Sequence, residues 1–372
     1  MFLNKPGRLT LIHQVHSSIK RVIRKIRTIR KVGALVTKRD YFFDNAKFIL
    51  IFLVVFGHAI QTYIETDPLL LSVYKTIYFF HMPAFILVAG YFAKGIHQKG
   101  LIRKLVKKLL IPYLIFQLIY TIYYYFLRNE QTLTIDPFNP QWSLWFLVSM
   151  FFWSLLLLLF IGVLRLSWKT AVPISFGLGI MIGFVDDLTS TLSISRTFVF
   201  FPFFLIGYYI NREQFTWLKK RPFQLAGVFS IAVVLLFMLV FPEWSNKWLL
   251  GTYSYSELGQ PRELSPFIRM LIYSLSLWLV ASFFSITPEK KYFYTNWGKN
   301  TLYVYLLHGF IIQLFRESNI DVFVNPYVSL LLIMISSLLL TILLSTNWIT
   351  AVTQPIIELK ASRLKKLSPK EK

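Results

Sequence analysis

Apolar residues run on with few charges for about 17–20 positions at a time, and such runs recur from residue 48 almost to the end of the chain. At about 1.5 Å per residue each run can cross a hydrocarbon core of about 30 Å as a helix. Ten segments fit, at roughly 48–64, 71–93, 107–127, 143–164, 169–185, 197–210, 223–241, 268–286, 300–316 and 327–345. The fifth, sixth and ninth carry the weakest pattern. The predicted fold is therefore all-α, a polytopic transmembrane helix bundle of about ten spans in the cell membrane. The spans leave no room for a separate globular domain, so the bundle is itself the catalytic or transport unit.

The polar intervals between the runs alternate in sign. With the N-terminus inside, Lys94, Lys99, Arg103, Lys104, Lys107 and Lys108 face the cytoplasm, as do Arg165 with Lys169, Lys219 to Arg221, and Lys290 with Lys291. The other intervals hold Glu65 and Asp67, Glu130 and Asp136, Asp186 and Asp187, Glu243 and Glu257, and Asp321. This excess of cations in alternate loops predicts an even number of crossings with both termini cytoplasmic. It divides the chain into a basic cytoplasmic segment over 1–40, a membrane domain over 41–346 and a basic tail over 347–372.

Residues 1–39 contain no acidic side chain. Ile19, Val22, Ile23, Ile26 and Ile29 fall on one helical face against Lys20, Arg21, Arg24, Lys25 and Arg30. The pattern reads equally as an amphipathic helix lying on anionic lipid and as a cationic tail that fixes orientation. No short apolar core with a small-residue cleavage site follows the charges, which argues against a signal peptide.

Composition agrees with a membrane protein, with 55% hydrophobic residues and a mean hydropathy of +0.55. The formal charge of +23 does not indicate nucleic acid, because the basic residues gather in the tails and alternate loops. The chain has no cysteine, which excludes disulfides, thiolate zinc sites and a cysteine nucleophile. No Gly-x-Ser-x-Gly elbow, phosphate-binding loop or dinucleotide fingerprint occurs.

Ionisable residues at membrane depth are costly and point to function. His58 lies deep in the first span. Eleven steps of about 100° bring Lys47 within roughly 20° of it, and fourteen bring Asp44 within roughly 40°, so the three share a face. His58 and Asp44 are the candidate catalytic residues. Lys47 is separated from His58 by about 16 Å of rise and belongs at the cytoplasmic mouth of the same groove.

His81 in the second span and His308 in the ninth should reach similar depth, with His81 and His58 facing each other near the midplane. A single buried histidine is as readily an interhelical hydrogen bond as a functional group. Three at one depth, without cysteine and with few buried carboxylates, favour proton transfer over metal binding, so no metal is expected.

The strings DNAKFILIFLVVFGH, FFHMPAFILVAGYFAKG, RKLVKKLLIPYLIF, WSLWFLVSMFFW and TLYVYLLHGF occur in that order. Together they resemble the acyltransferase 3 family of integral membrane acyltransferases, with greatest likeness to the branch often called fucose 4-O-acetylase-like. The resemblance runs from about Tyr41 to the tenth span. It implies a ten-helix enzyme that takes an acyl group, usually acetyl from acetyl-CoA, and places it on a hydroxyl of a cell-surface glycan or its lipid-linked precursor. No permanently bound cofactor is implied, since acetyl-CoA or another acyl-CoA is a substrate.

The family's essential histidine matches His58. Its arginine eleven residues earlier matches Lys47, a departure that replaces a phosphate-binding fork by a point charge. Arg103, ahead of Pro112 and Tyr113, matches the family's loop arginine. Lys47 and Arg103 are thus the candidate coenzyme A contacts. The alternative for the basic loop is ordinary orientation charge.

His81, Trp145 and His308 are candidate substrate contacts. Trp142 and Trp145 open the fourth span where tryptophan commonly anchors at the interface, although such rings also stack on sugars. Asp186, Asp187 and Arg196 either hold a glycan or pair with each other. Some family members carry an extra extracytoplasmic hydrolase-like domain. None follows the tenth predicted span, so transfer is expected to finish inside the bundle or pass to a separate extracytoplasmic transferase. The competing function class is an exporter of a polysaccharide or lipid-linked sugar, which also needs a polar path, but no repeat with broken helices is evident.

Overall fold

The computed structural model describes residues 40–95, 100–186, 191–318 and 325–367. The predicted amphipathic face from Ile19 to Ile29 and residues Lys99, Asp187 and Asp321 lie outside these. The chain divides into two compact units, 1–41 and 42–372. Only Asp40 and Tyr41 of the first are described, and everything below concerns the second.

The described residues are helical, with no strand among them. Among the described residues eight helices are long and apolar enough to cross a membrane: α1 (Tyr41–Tyr63), α2 (Pro68–Tyr91), α3 (Leu101–Leu127), α4 (Trp142–Val163), α6 (Thr191–Tyr209), α8 (Arg221–Val240), α9 (Ser265–Ile286) and α11 (Pro326–Leu344). The predicted fifth span forms the shorter apolar helix α5 (Trp168–Phe184). The ninth is the 17-residue helix α10 (Thr301–Glu317). All ten predicted segments are thus helices, and two fall short of the usual spanning length. Between them lie α7 (Arg212–Leu218) and, after α11, α12 (Asn347–Ile357).

Local signals start the helices as expected. Asp67 accepts from the amides of Leu69 and Leu70 at 2.8 and 3.2 Å while Pro68, which has no N–H to leave unpaired, opens α2. In α3 a π turn at Val106–Leu110 precedes Pro112, whose ring removes one ladder donor.

α2 is the centre of the bundle, with 78% of its apolar window buried against 17% for α8. Its closest partner is α6. A Cβ on Gly90 would lie 1.9 Å from the Phe204 oxygen, and one on Gly207 would lie 2.0 Å from the Leu87 oxygen. The two backbones therefore touch, which is how helices associate where lipid removes the hydrophobic drive between them. Trp153 Nε1 donates to the Thr197 oxygen at 2.7 Å and ties α4 to the same core.

Two ends of the bundle are fixed by polar contacts. Asn45 Nδ2 donates to the oxygens of Pro288 and Lys290 at 2.9 and 2.8 Å, binding the start of α1 to the segment after α9. At the other end Arg128 pairs with Glu317 at 2.9 Å, joining the ends of α3 and α10. These are called below the Lys47 end and the Arg316 end.

Candidate active site

Lys47, Ile51, Val54 and His58 follow at spacings of four, three and four and so form one stripe along α1. Ile51, Val54 and His58 line a cavity of about 160 Å³. Leu109 from the π turn of α3, Trp145 and Met150 from α4, and Tyr305 from α10 close it. The cavity is largely apolar and ends at the imidazole.

Around that imidazole the aromatic rings are close. Trp142 lies 4.4 Å from His58 between ring centroids, His308 lies 5.6 Å from His58, and Trp142 lies 5.2 Å from His308. His308 Nδ1 sits 2.9 Å from the Val304 oxygen, so Nδ1 carries the proton and Nε2 keeps its lone pair. His308 Nε2 and His58 Nδ1 are buried and have no hydrogen-bond partner in the protein. Buried polar atoms are usually satisfied, so two orphan nitrogens in one cluster mark a place where a ligand atom belongs.

The cluster is held by unusual backbone. Trp142 has φ of +40°, a conformation bulky residues rarely adopt, and such strain concentrates at functional sites. Tyr305 Oη, donating to the Ser143 oxygen at 2.6 Å, secures that turn. A Cβ on Gly309 would lie 2.3 Å from Tyr120 Oη and 2.5 Å from Trp142 Cζ3. Only glycine after His308 leaves room for the Tyr120 hydroxyl and the Trp142 ring at that point.

Arg316, at the end of α10, was not anticipated. Its Nη2 donates to the His58 oxygen at 2.6 Å and to Gln61 Oε1 at 3.0 Å, and its guanidinium lies 5.7 Å from the Trp142 ring. Its Nε is buried without a partner. The available signal was a charge at the end of a weak span, which reads as an interfacial residue.

The other sequence candidates fall in different places. Asp44 forms an ion pair with Lys47 at 3.0 Å, one turn away, and fourteen residues of rise, about 21 Å, remain between it and His58. Shared face did not mean shared site. Lys47 also lies 5.8 Å from the Phe92 ring. Arg103 is exposed on the first turns of α3, six residues before the cavity-lining Leu109. His81 does not pair with His58 ring to ring. Its Nδ1 sits 2.8 Å from the Ile77 oxygen and its ring 4.6 Å from Tyr78.

Trp145 lines the cavity, and Arg196 stands over its ring at 5.0 Å. Asp186 pairs with Arg262 at 3.0 Å, and its hydrogen bonds with Ser256 and Ser254 together with that charge hold its carboxyl below the usual range. Its partner is thus not Arg196, whose Nε donates to the Leu250 oxygen at 3.3 Å.

At the Lys47 end some cations serve the fold. Lys94 donates to the Ile210 oxygen at 2.9 Å. Lys219 donates to the oxygens of Ser285 and Thr287 at the end of α9, and burial pushes its ammonium down to about 8. No three histidine, aspartate or glutamate side chains gather in a metal-binding cluster among the described residues.

The chain is similar to known proteins. Nodulation protein NolL of Mesorhizobium japonicum is 27% identical over 303 residues, covering 74% of this chain and 77% of that protein. Nodulation protein NolL of Sinorhizobium fredii is 30% identical over 246 residues, covering 61% of this chain and 62% of its own. No solved structure matches. An acyltransferase domain model matches residues 40–346, which include the whole cavity, both orphan histidines and Arg316, and the chain belongs to the acyltransferase 3 family of membrane proteins.

Proposed function

We propose that the protein is an O-acetyltransferase of the cell membrane that takes acetyl from acetyl-CoA at the Lys47 end and transfers it to a hydroxyl of a surface glycan or its lipid-linked precursor. The observation that supports this best is the stripe from Lys47 to His58, whose inner three residues line one apolar cavity. Such a cavity suits a thin pantetheine arm carrying a thioester. The phosphates stay among the cations of the mouth, Lys47 and Arg103, and the charge alternation puts that mouth in the cytoplasm.

In this reading His58 accepts the acceptor hydroxyl's proton as that oxygen attacks the thioester carbonyl carbon. The new C–O bond forms, the C–S bond breaks, and the proton passes from the imidazolium to the departing thiolate. Arg316 Nε, still without an acceptor, is the donor nearest to hand for the transient oxyanion. Trp142 and His308 pack the reaction centre and limit water. The acyl group crosses to an acceptor at the Arg316 end, inside the protein or with a separate extracytoplasmic transferase.

The likeness of the quoted strings to the fucose 4-O-acetylase-like branch makes a deoxysugar hydroxyl the first acceptor to try. The test is label transfer from acetyl-CoA by purified protein in a bilayer disc. Label appearing in a glycan with release of free thiol supports the reading. No thiol release with any glycan acceptor contradicts it.

A further inference from the structure

Between α8 and α9 a groove of about 500 Å³ opens at the Arg316 end. Phe79, Trp244 and Trp248 form its floor, and Glu243 and Gln260 stand at its rim. Its outer wall includes Phe237 and Leu271, which are 52% and 70% exposed and belong to the lipid-facing surface. The groove is apolar toward the membrane, aromatic below and polar above.

Behind Trp248 is a second space of about 20 Å³, lined by Arg269, Tyr78 and Ser276 and sharing Trp248 and Ile272 with the groove. Arg269 is 1% exposed, one turn inside α9. No carboxylate forms an ion pair with it among the described residues and its Nε has no hydrogen-bond partner; its guanidinium does hydrogen-bond the Tyr255 side chain, and the rings of Trp248 at 5.3 Å and Tyr255 at 5.7 Å cover it. A charged side chain buried this fully inside a helix bundle is costly unless an opposite charge meets it, and aromatic faces compensate only in part. Glu243 does not fill that role, because it faces Lys75, whose Nζ donates to the Pro242 oxygen at 2.5 Å.

The space beside Arg269 leads toward the reaction centre. Tyr78 lines it, and the same ring would lie 2.9 Å from a Cβ on Gly57, the residue before His58. The groove and the inner space share Trp248, while Arg269 and Tyr78 line that space together, and Tyr78 packs on the residue before His58.

We infer that this groove is the lateral entrance for the acceptor, and that the acceptor is a sugar carried on a lipid phosphate. The lipid chain lies along Phe237 and Leu271, the sugar stacks on Trp244, and the phosphate displaces the Trp248 ring to meet Arg269. The 20 Å³ space holds little more than a water, so the phosphate approaches from the groove side. Charge-assisted hydrogen bonds to phosphate then replace the weaker ring contact. The ligand's identity as acceptor rests on the acetyl-transfer reading, whereas its binding does not.

The test is lipid retention by the full chain in neutral bilayer discs, comparing a polyprenyl diphosphate with the polyprenol of equal chain length and with phosphatidylglycerol. The diphosphate is expected to bind about tenfold or more tighter than the polyprenol, as for a hydrogen bond to a charged group. Arg269→Gln should erase that preference and Arg269→Lys restore part of it. Leu271→Trp, a change on an exposed face that leaves the core intact, should weaken retention of the diphosphate by obstructing the wall. Equal binding of polyprenol and diphosphate would overturn the inference, as would an unchanged preference in Arg269→Gln, unchanged retention in Leu271→Trp, or displacement by an equal amount of phosphatidylglycerol. If wild-type protein retains the diphosphate yet releases no thiol from acetyl-CoA, the acetyl-transfer reading fails and the lipid-phosphate site stands.

Discussion

Arg316 Nη2 donates to the backbone oxygen of His58 at 2.6 Å, although 258 residues separate the two. The bond has a simple local cause. The regular α-helical part of α1 ends at Ile60, before a 3-10 turn over Gln61–Tyr63, so the carbonyl of His58 lies where the α-helical ladder runs out and oxygens lose their usual partners. A cation at a helix C-terminus satisfies that oxygen and the end of the helix dipole together. The contact also fixes the height and rotation of the imidazole, and it joins α10, which carries His308, to α1.

Arg316→Gln should therefore reduce acyl transfer more than it reduces protein abundance. Losing a hydrogen bond to a charged group costs about 1.5–3 kcal/mol, or roughly 10- to 100-fold in rate if it is expressed fully in the transition state. Steady-state kinetics at equal membrane abundance check this. A fall in kcat with little change in KM for acetyl-CoA is expected, and wild-type kcat would remove Arg316 from the site.

The cavity between Lys47 and His58 is narrow enough to be blocked from within. Val54, 5% exposed, is central to its lining stripe. Val54→Phe fills space rather than removing a contact, at a stability cost of about 1–3 kcal/mol for an overpacked core. Acetyl-CoA turnover should drop by at least about tenfold in kcat/KM, and propionyl-CoA should suffer more than acetyl-CoA. Equal losses for both donors would mean that the acyl chain does not pass Val54.

The direction of the bundle in the membrane is open to a labelling test, because the chain contains no cysteine. Lys290 follows α9 near the Lys47 end, and Glu263 precedes α9 at the Arg316 end, both exposed. A cysteine at 263 should react with an impermeant thiol reagent on intact cells, and one at 290 should react only after lysis. The reverse pattern would put the coenzyme A mouth on the wrong side of the membrane.

How much of this the sequence made legible depends on the residue. All ten helices were visible, because long apolar runs in a membrane have few alternatives to a helix. Lys47 and His58 were placed together by the helical period alone. The same period misled for Asp44, since angle says nothing about rise, and its nearest partner was the lysine one turn on. His81 was read as facing His58, but a shared depth along two helices does not fix which neighbour a ring meets, and its ring meets Tyr78. Trp142 looked like an interfacial anchor, and its φ of +40° sets it against both histidines. Arg316 and Arg269 drew no reading from the sequence, where each is a lone charge near a span end. Their burial arises from helices distant in sequence, which no local pattern reports.

The central claim is that His58, at the inner end of the cavity, is the base for acyl transfer from acetyl-CoA. The most direct measurement is label transfer from acetyl-CoA by purified His58→Ala protein beside wild type, in bilayer discs at equal protein and with acetyl-CoA affinity measured in parallel. The account predicts a rate lower by about 10²–10⁴-fold with donor affinity little changed, as for loss of a general base. Transfer by His58→Ala at the wild-type rate would contradict it.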